Sequence, residues 1–475
     1  MFRDEYGLAV PSFKGEAEQW QTVKEPYSGD VVGRVALLNE NAIDVALDLA
    51  GAASARPPLK PYERADILRK VAASVAEHAE AFALMIAREG GKPIVDARVE
   101  VSRAVQTLTL CAEEATRNPG REIPMGGTEK SAGRLAMTTR EPIGVVVAYS
   151  AFNHPLNLLA HQIGPAVAAG CPVLVKPAPA TPMCCMALVE LFYEAGLPQD
   201  ALIPIPCTND QAAVLATDSR MALFNFIGSS KVGWSLRSSL APGVRCILEH
   251  GGAAPVIIHD DADLDKVVPA LLKGGYYHAG QVCVSVQRVF AHHYIKRDLV
   301  DRLNEGAAAL KVGDPTLEDT QVGPLIRAIE IERINAWAGD ADARGGEITC
   351  GGRGLSNQCY SPTVIVDAPG NTKVMNEEIF GPVLCVNGYR KLEEPIAWSN
   401  RLPWAFQAGV FTKRLDVGMK VSRELSAAAV MINDHSAFRI DSMPFGGHGE
   451  SGLSLGGVEN SLRDMTREKL IVFKS

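Results

Sequence analysis

Apolar residues along this chain keep one spacing up to about residue 118 and take another from residue 142 onward. Over residues 41–118 they recur every three or four positions: Ile43, Val45, Ala46 and Leu49, then Ile67, Leu68, Val71 and Val75, then Val101, Ala104, Leu108 and Cys111. Positions three and four apart share one face of a helix, so this stretch predicts amphipathic helices around a core. Residues 120–141 are glycine-rich and hold short alternating stretches such as Arg134-Leu135-Ala136-Met137, which predicts a hairpin or a protruding arm. Short apolar runs then appear at 144–148, 173–175, 202–206 and 223–227, with helical segments between them at 156–168, 183–195 and 210–215. Buried strands alternating with helices predict a parallel sheet covered on both faces, with ligands outside the carboxyl ends of its strands. After Gly251 the alternation starts again, with strands at 255–259 and 288–292 and helices at 264–273 and 297–310. No Pro- or Ser-rich linker, internal repeat or low-complexity tract divides the two runs, so two α/β domains packed across a cleft are expected.

Length and charge narrow the class. A chain of 475 residues exceeds what one small core organises, and a net charge of -8 suggests neither a nucleic-acid surface nor a solvated acidic tail. Residues 1–21 carry Arg3, Asp4, Glu5, Lys14, Glu16 and Glu18 in place of the apolar core of a signal peptide, so a cytoplasmic location is expected. No apolar run approaches the roughly 20 residues of a membrane-spanning helix. The ten cysteines form no C-x-x-C pair and none sits near histidines at zinc spacing, so no metal site is expected. Most stand in apolar company, where a reduced thiol behaves as a small hydrophobe.

Five segments carry candidate chemistry. Cys283 ends Ala279-Gly280-Gln281-Val282-Cys283, a glycine-containing loop ahead of a strand, where a thiol can attack a ligand; taken alone, a buried structural thiol is the commoner explanation. Glu249 closes an apolar strand before Gly251 and Gly252, as a general base or as a solvated strand-end carboxylate. The run from Gly228 and Ser229 to Gly233 passes from strand through turn to helix, where backbone amides and the Ser229 hydroxyl hold a phosphate, or where a plain turn suffices; it is neither Walker A nor G-x-G-x-x-G. Lys176 ends a buried strand where its ammonium suits ligand oxygens, unless it snorkels to solvent. Asn153 stands between a strand and a helix, as an oxyanion donor or a helix cap.

In order and spacing these segments resemble the aldehyde dehydrogenase superfamily over essentially the whole chain. The resemblance rests on Glu141-Pro142-Ile143-Gly144-Val145, Asn153, Lys176-Pro177, Gly228-Ser229 through Gly233, Glu249 with Gly251-Gly252, Gly280-Gln281 and Cys283, Glu378-Ile379-Phe380-Gly381-Pro382, and Pro444-Phe445-Gly446-Gly447 with Ser451-Gly452. It implies an α/β fold with a variant Rossmann cofactor domain (1–119 and 142–250), an α/β catalytic domain (251–455) and a small β oligomerisation arm (120–141 and 456–475). It implies oxidation of an aldehyde to its acid with NAD or NADP, by a homodimer or homotetramer. Cys283 is then the nucleophile, Asn153 and the Cys283 N–H hold the oxyanion, and Glu249 activates the water that hydrolyses the thioester. Lys176, Gly228, Ser229, Gly233, Glu378 and Phe380 are then cofactor residues. Retention of Glu249 speaks against the rival of thioester transfer to coenzyme A, and the full catalytic set speaks against a non-catalytic protein on the same fold.

Departures from the pattern bear on specificity. Pro179 stands where many NAD-using members have a ribose-binding glutamate, which removes a barrier to NADP without creating a site for it. Gly449 and His250 replace a common lysine and leucine away from the chemistry. His154 replaces an aromatic tunnel residue, and with residues 433–441 it resembles the subgroup containing lactaldehyde and phosphonoacetaldehyde dehydrogenases. A small hydroxylated or weakly anionic aldehyde is expected, met by His154 and by Arg103 and Arg439, although surface or structural arginines are the commoner case. Val282 stands where a phosphonate-specific member is expected to carry arginine.

Overall fold

The computed structural model describes residues 2–117 and 119–474, so Asn118, the last position of the helical stretch, lies outside the described residues. Six strands form the first sheet in the order Gly452–Leu453, Arg245–Glu249, Leu223–Ile227, Val146–Tyr149, Val173–Lys176, Leu202–Pro204. The last five are parallel; Gly452–Leu453 joins antiparallel, with Leu453 opposite Leu248 and Gly452 opposite Glu249. Val146–Tyr149 and Val173–Lys176 are buried at every position because helices cover both faces, which is why they read as unbroken apolar runs. The long helix Ile94–Glu114 buries the predicted stripe Val101, Ala104, Leu108 and Cys111, and extends it back to Ile94 and Ala97. It packs closely on Asn157–Ala169: a Cβ at Gly164 would sit 2.7 Å from Cys111 Sγ, so only glycine permits the approach.

The second sheet has seven strands, in the order Glu347–Cys350, Thr363–Val366, Val383–Tyr389, Val286–His292, Ala254–Ile258, Gln407–Phe411, Ala429–Ile432, with only Glu347–Cys350 antiparallel to its neighbour. A smaller sheet pairs Arg134–Pro142 with Thr466–Lys474 along nine residues, Leu135 facing Phe473, with Glu122–Ile123 on the other side. Three N-terminal strands, Glu5–Tyr6, Val31–Leu37 and Gln19–Lys24, form a further sheet that hydrophobic spacing did not signal, since Gln19–Lys24 has a single buried residue. The chain recrosses late. Gly452–Leu453 enters the first sheet, and Val458 and Leu462 of helix Val458–Asp464 join the first core. No helix of the described residues is long and apolar enough to cross a membrane.

Candidate active site

Segments leaving the carboxyl ends of the first sheet meet those entering strand Val286–His292. Helix Leu264–Tyr276 ends in the turn Tyr277–Gly280, where His278, Ala279 and Gly280 take φ of 48°, 54° and 70° in succession. Such backbone is costly for the two residues that have a Cβ and persists only where the surroundings hold it. At Gly280 a Cβ would lie 2.1 Å from the Gly381 carbonyl oxygen, so the third position has to be glycine. Gln281 is the strut: its Nε2 donates to the His278 and Pro324 carbonyls (3.3 and 3.2 Å), and its Oε1 accepts from the Ile326 N–H at 3.0 Å. Cys283 emerges half-buried among Val282, Val284, Phe406 and Phe445. Burial pushes its thiol well above the ordinary range, the Glu249 carboxylate adds to the rise and the Arg439 guanidinium opposes it.

Glu249 ends its strand, and burial raises its pKa against the pull of Arg439. Asn153 spends one amide hydrogen on the Gln281 carbonyl, 2.9 Å away, which ties it to the nucleophile loop and leaves the second hydrogen for a ligand. The turn that carries Asn153 and His154 is pinned by Glu100, whose Oε1 accepts from the N–H groups of Leu156 (2.9 Å) and Asn157 (3.1 Å). Its other oxygen pairs with Lys92, and neither side chain has any exposure. Lys92→Met is expected to destabilise the fold by about 3–5 kcal/mol, because a buried charge loses its partner. The double variant Lys92→Met/Glu100→Gln should recover much of that loss in denaturant melts; a single variant as stable as the parent refutes the pairing.

The cofactor candidates flank this junction. Lys176 is buried at its strand end with no carboxylate partner among the described residues, and burial lowers its pKa. Ser229 sits ahead of helix Ser230–Ser238 and its hydroxyl makes no capping bond. Glu378 has a buried Oε1 without a hydrogen-bond partner, and burial pushes its pKa up to about 8. Its approach depends on Gly251, where a Cβ would fall 1.6 Å from that oxygen. Phe380 holds φ of 45° and packs edge-on against Phe152. An unpaired cation, a free hydroxyl at a helix N-terminus and an orphaned carboxylate oxygen together fit a dinucleotide with its phosphates and ribose hydroxyls. Gly228 and Gly233 have packing reasons as well: a Cβ at Gly233 would lie 2.1 Å from the His250 ring, and one at Gly228 2.8 Å from Phe226.

Three cations surround His154. Burial, then Lys92 and Arg103, and further Arg439, drive its imidazole well below the ordinary value, so it is neutral. Arg103 is committed to Asp441 through two bonds of 3.0 and 2.9 Å. Arg439 differs: its guanidinium lies 3.5 Å over the Phe445 ring, its Nη2 is 3.2 Å from His161 Nε2, and its buried Nε has no partner. Asp441 also accepts from Asn157 and His161 (3.0 and 2.8 Å). Lys92, Glu100, Asn157, His161 and Asp441 escaped the sequence analysis; the one local signal was Asn157 and His161 four apart on a single helix face.

The Aldehyde dehydrogenase family model matches residues 13–471. The chain is 37% identical over 482 aligned positions to the 3-sulfolactaldehyde dehydrogenase of Priestia aryabhattai, covering 98% of each. It superposes with a TM-score of 0.95 and 34% identity on aldehyde dehydrogenase 21 of Physcomitrella patens, solved with the reaction product succinate, covering 100% of this chain and 99% of that one. The glyceraldehyde-3-phosphate dehydrogenase of Methanocaldococcus jannaschii, solved with NADP, superposes with a TM-score of 0.91 at 32% identity, covering 96% and 99%. Matched from end to end in sequence and in fold, the chain belongs to the aldehyde dehydrogenase family, oxidoreductases that take NAD or NADP as acceptor.

Proposed function

We propose that this enzyme oxidises a small aldehyde bearing an anionic group to its acid through a thioester on Cys283. The Cys283 thiol releases its proton to solvent as its sulfur adds to the aldehyde carbon, and the oxyanion is held by the free Asn153 amide hydrogen and the Cys283 N–H. Lys176, Ser229, Glu378 and Phe380 hold the cofactor, with Gly228 and Gly233 setting the backbone around it. A nicotinamide held by these residues would supply the hydride acceptor needed to turn the adduct on Cys283 into a thioester. Glu249 then takes a proton from the attacking water.

The substrate class rests on Arg439. Lys92 and Arg103 are neutralised by Glu100 and Asp441, whereas Arg439 has no carboxylate within ion-pair distance among the described residues and acts electrostatically on both Cys283 and Glu249. A buried cation without a partner favours an anionic ligand. The names of the three similar proteins support this: a sulfonate, a carboxylate and a phosphate are carried by their respective substrates or product. The test is steady-state kinetics of Arg439→Met against sulfonated or carboxylated aldehydes and against neutral ones of equal length, with NAD and with NADP. A loss in kcat/KM of about 10- to 100-fold confined to the anionic aldehydes is expected for one charged hydrogen bond. An equal loss for both classes overturns the assignment.

The ten cysteines are all free, which suits a reducing cytoplasm. Leu135, Leu470 and Phe473 are about half exposed on the arm, whose outer strand has an open edge; they suit a second copy in a homodimer or homotetramer.

A further inference from the structure

The turn ahead of the nucleophile carries a polar side chain that packs on the same apolar cluster as the thiol. Tyr277 and Cys283 both lie against Val282, Val284, Phe406 and Phe445, and the Arg439 guanidinium covers the Phe445 ring. Two ammonium groups stand near the Tyr277 ring, Lys92 Nζ 5.8 Å and Lys273 Nζ 4.7 Å from its centroid. Both cations are anchored, Lys92 by Glu100 and Lys273 by Asp96 at 2.6 Å, so the ring rests among groups that are themselves pinned. The Tyr277 hydroxyl lies 3.4 Å from His154 Nε2, and the two rings are 6.0 Å apart. Neither is sealed off: Tyr277 is half-buried and His154 keeps 8% of its surface.

Protonation states set what this pair can offer. Burial, with Asp96 and Glu100 adding to it, holds the Tyr277 phenol well above its ordinary value, so it keeps its hydrogen. His154 is neutral, as its burial among cations requires. Among the described residues neither side chain has a second hydrogen-bond partner. A phenol and a neutral imidazole that share one hydrogen bond leave the same two functions free in either tautomer. If the phenol donates to Nε2, Nδ1 carries the imidazole hydrogen and the phenol oxygen keeps a lone pair. If Nε2 donates to the phenol oxygen, the phenol hydrogen is free and Nδ1 is the acceptor. One donor and one acceptor remain in both cases. An alcohol, donor and acceptor on one oxygen, matches both; a carboxylate or sulfonate brings acceptors alone, and an ammonium donors alone.

We propose that Tyr277 and His154 read a hydroxyl on the substrate carbon next to the aldehyde, so that the preferred substrate carries a hydroxyl there and its anionic group farther along, at Arg439. The inference rests on the reading that places the aldehyde on Cys283 with its oxyanion at Asn153, and it deepens the substrate class given above. His154 directly follows Asn153 in the chain, so the substrate atoms that meet its ring are those close to the reacting carbon. An aldehyde without the hydroxyl leaves a donor and an acceptor unpaired in a cleft largely closed to water, which weakens its binding. Neutrality divides the work between the two ends: a charged His154 would compete with Arg439 for the anion, and burial among cations prevents that.

The experiment measures kcat/KM for propanal, 2-hydroxypropanal, 3-sulfopropanal and 2-hydroxy-3-sulfopropanal, which vary the hydroxyl and the anion independently. The enzyme should favour each hydroxylated aldehyde over its partner by about 10- to 100-fold, the range for one or two hydrogen bonds to a buried polar pair. Tyr277→Phe and His154→Phe should each abolish most of that ratio while the ratio of sulfonated to unsulfonated substrate stays parental. His154→Gln, which restores one donor and one acceptor, should recover the hydroxyl preference in part. Arg439→Met should lose the sulfonate preference and keep the hydroxyl preference. A parental enzyme indifferent to the hydroxyl, a hydroxyl preference that survives in both phenylalanine variants, or an equal loss on all four aldehydes overturns the proposal. A hydroxyl preference lost in both variants, in an enzyme that never favoured the sulfonate, upholds Tyr277 and His154 and overturns the anion assignment alone.

Discussion

Cys283→Ser lowers aldehyde oxidation by roughly 10⁴- to 10⁶-fold, the scale on which enzymes lose their covalent nucleophile. The substitution exchanges one atom in a half-buried position, so the fold is expected to survive and the loss to fall on chemistry. The parental thiol already needs help: burial and the Glu249 charge keep it protonated at rest. A hydroxyl in the same place ionises far less readily, so attack on the carbonyl carbon stalls. Measurement of cofactor reduction, with mass spectrometry for an acyl adduct, decides the matter. Retention of even a few per cent of activity in protein free of parental enzyme would remove Cys283 from the mechanism.

Glu249→Gln is expected to separate the two halves of the reaction. Steady-state turnover should fall about 10²- to 10⁴-fold, the contribution of a positioned general base, while the first turnover persists. The reason lies in the sign of the coupling: the Glu249 charge raises the Cys283 pKa, so its neutral replacement makes the thiol easier to ionise. The acylated enzyme should accumulate and be visible as a mass increase on the Cys283 peptide. In the parental enzyme, hydrolysis needs ionised Glu249. Burial raises its pKa, so turnover should decline as pH falls through a value above the ordinary carboxylate range, and this acid limb should vanish in the glutamine variant. A glutamine variant with parental turnover, or with no first turnover, would assign the base elsewhere.

The substrate end illustrates how similar residues part company in three dimensions. Arg103 and Arg439 were equivalent candidates along the chain, yet Arg103 is held in a bidentate pair by Asp441 while Arg439 keeps an unpartnered Nε beside the nucleophile and the base. Binding energy for an anion is available only from the second, since the first has its countercharge already. The cofactor candidates divide in a similar way. Lys176, Ser229 and Glu378 present unsatisfied polar groups, whereas Gly228 and Gly233 make room for Phe226 and His250.

From the sequence by itself came the two alternating α/β runs, the stripe of helix Ile94–Glu114, and the order of Asn153, Lys176, Ser229, Glu249, Cys283 and Glu378. Spacing of apolar residues is a local property, and a buried strand or an amphipathic helix shows in a window of ten or twenty positions. The N-terminal sheet, whose edge strand Gln19–Lys24 buries one residue, and the return of Gly452–Leu453 into the first sheet left no such trace. Only the tertiary structure decided which charges are paired. Arg103 and Asp441 are 338 residues apart, and His161 and Asp441 280 apart. No periodicity links such positions. A buried ionic group takes its partner from whatever the packing of distant elements brings within about 3 Å, and that contact leaves Lys92 and Arg103 neutralised and Arg439 without a carboxylate partner among the described residues.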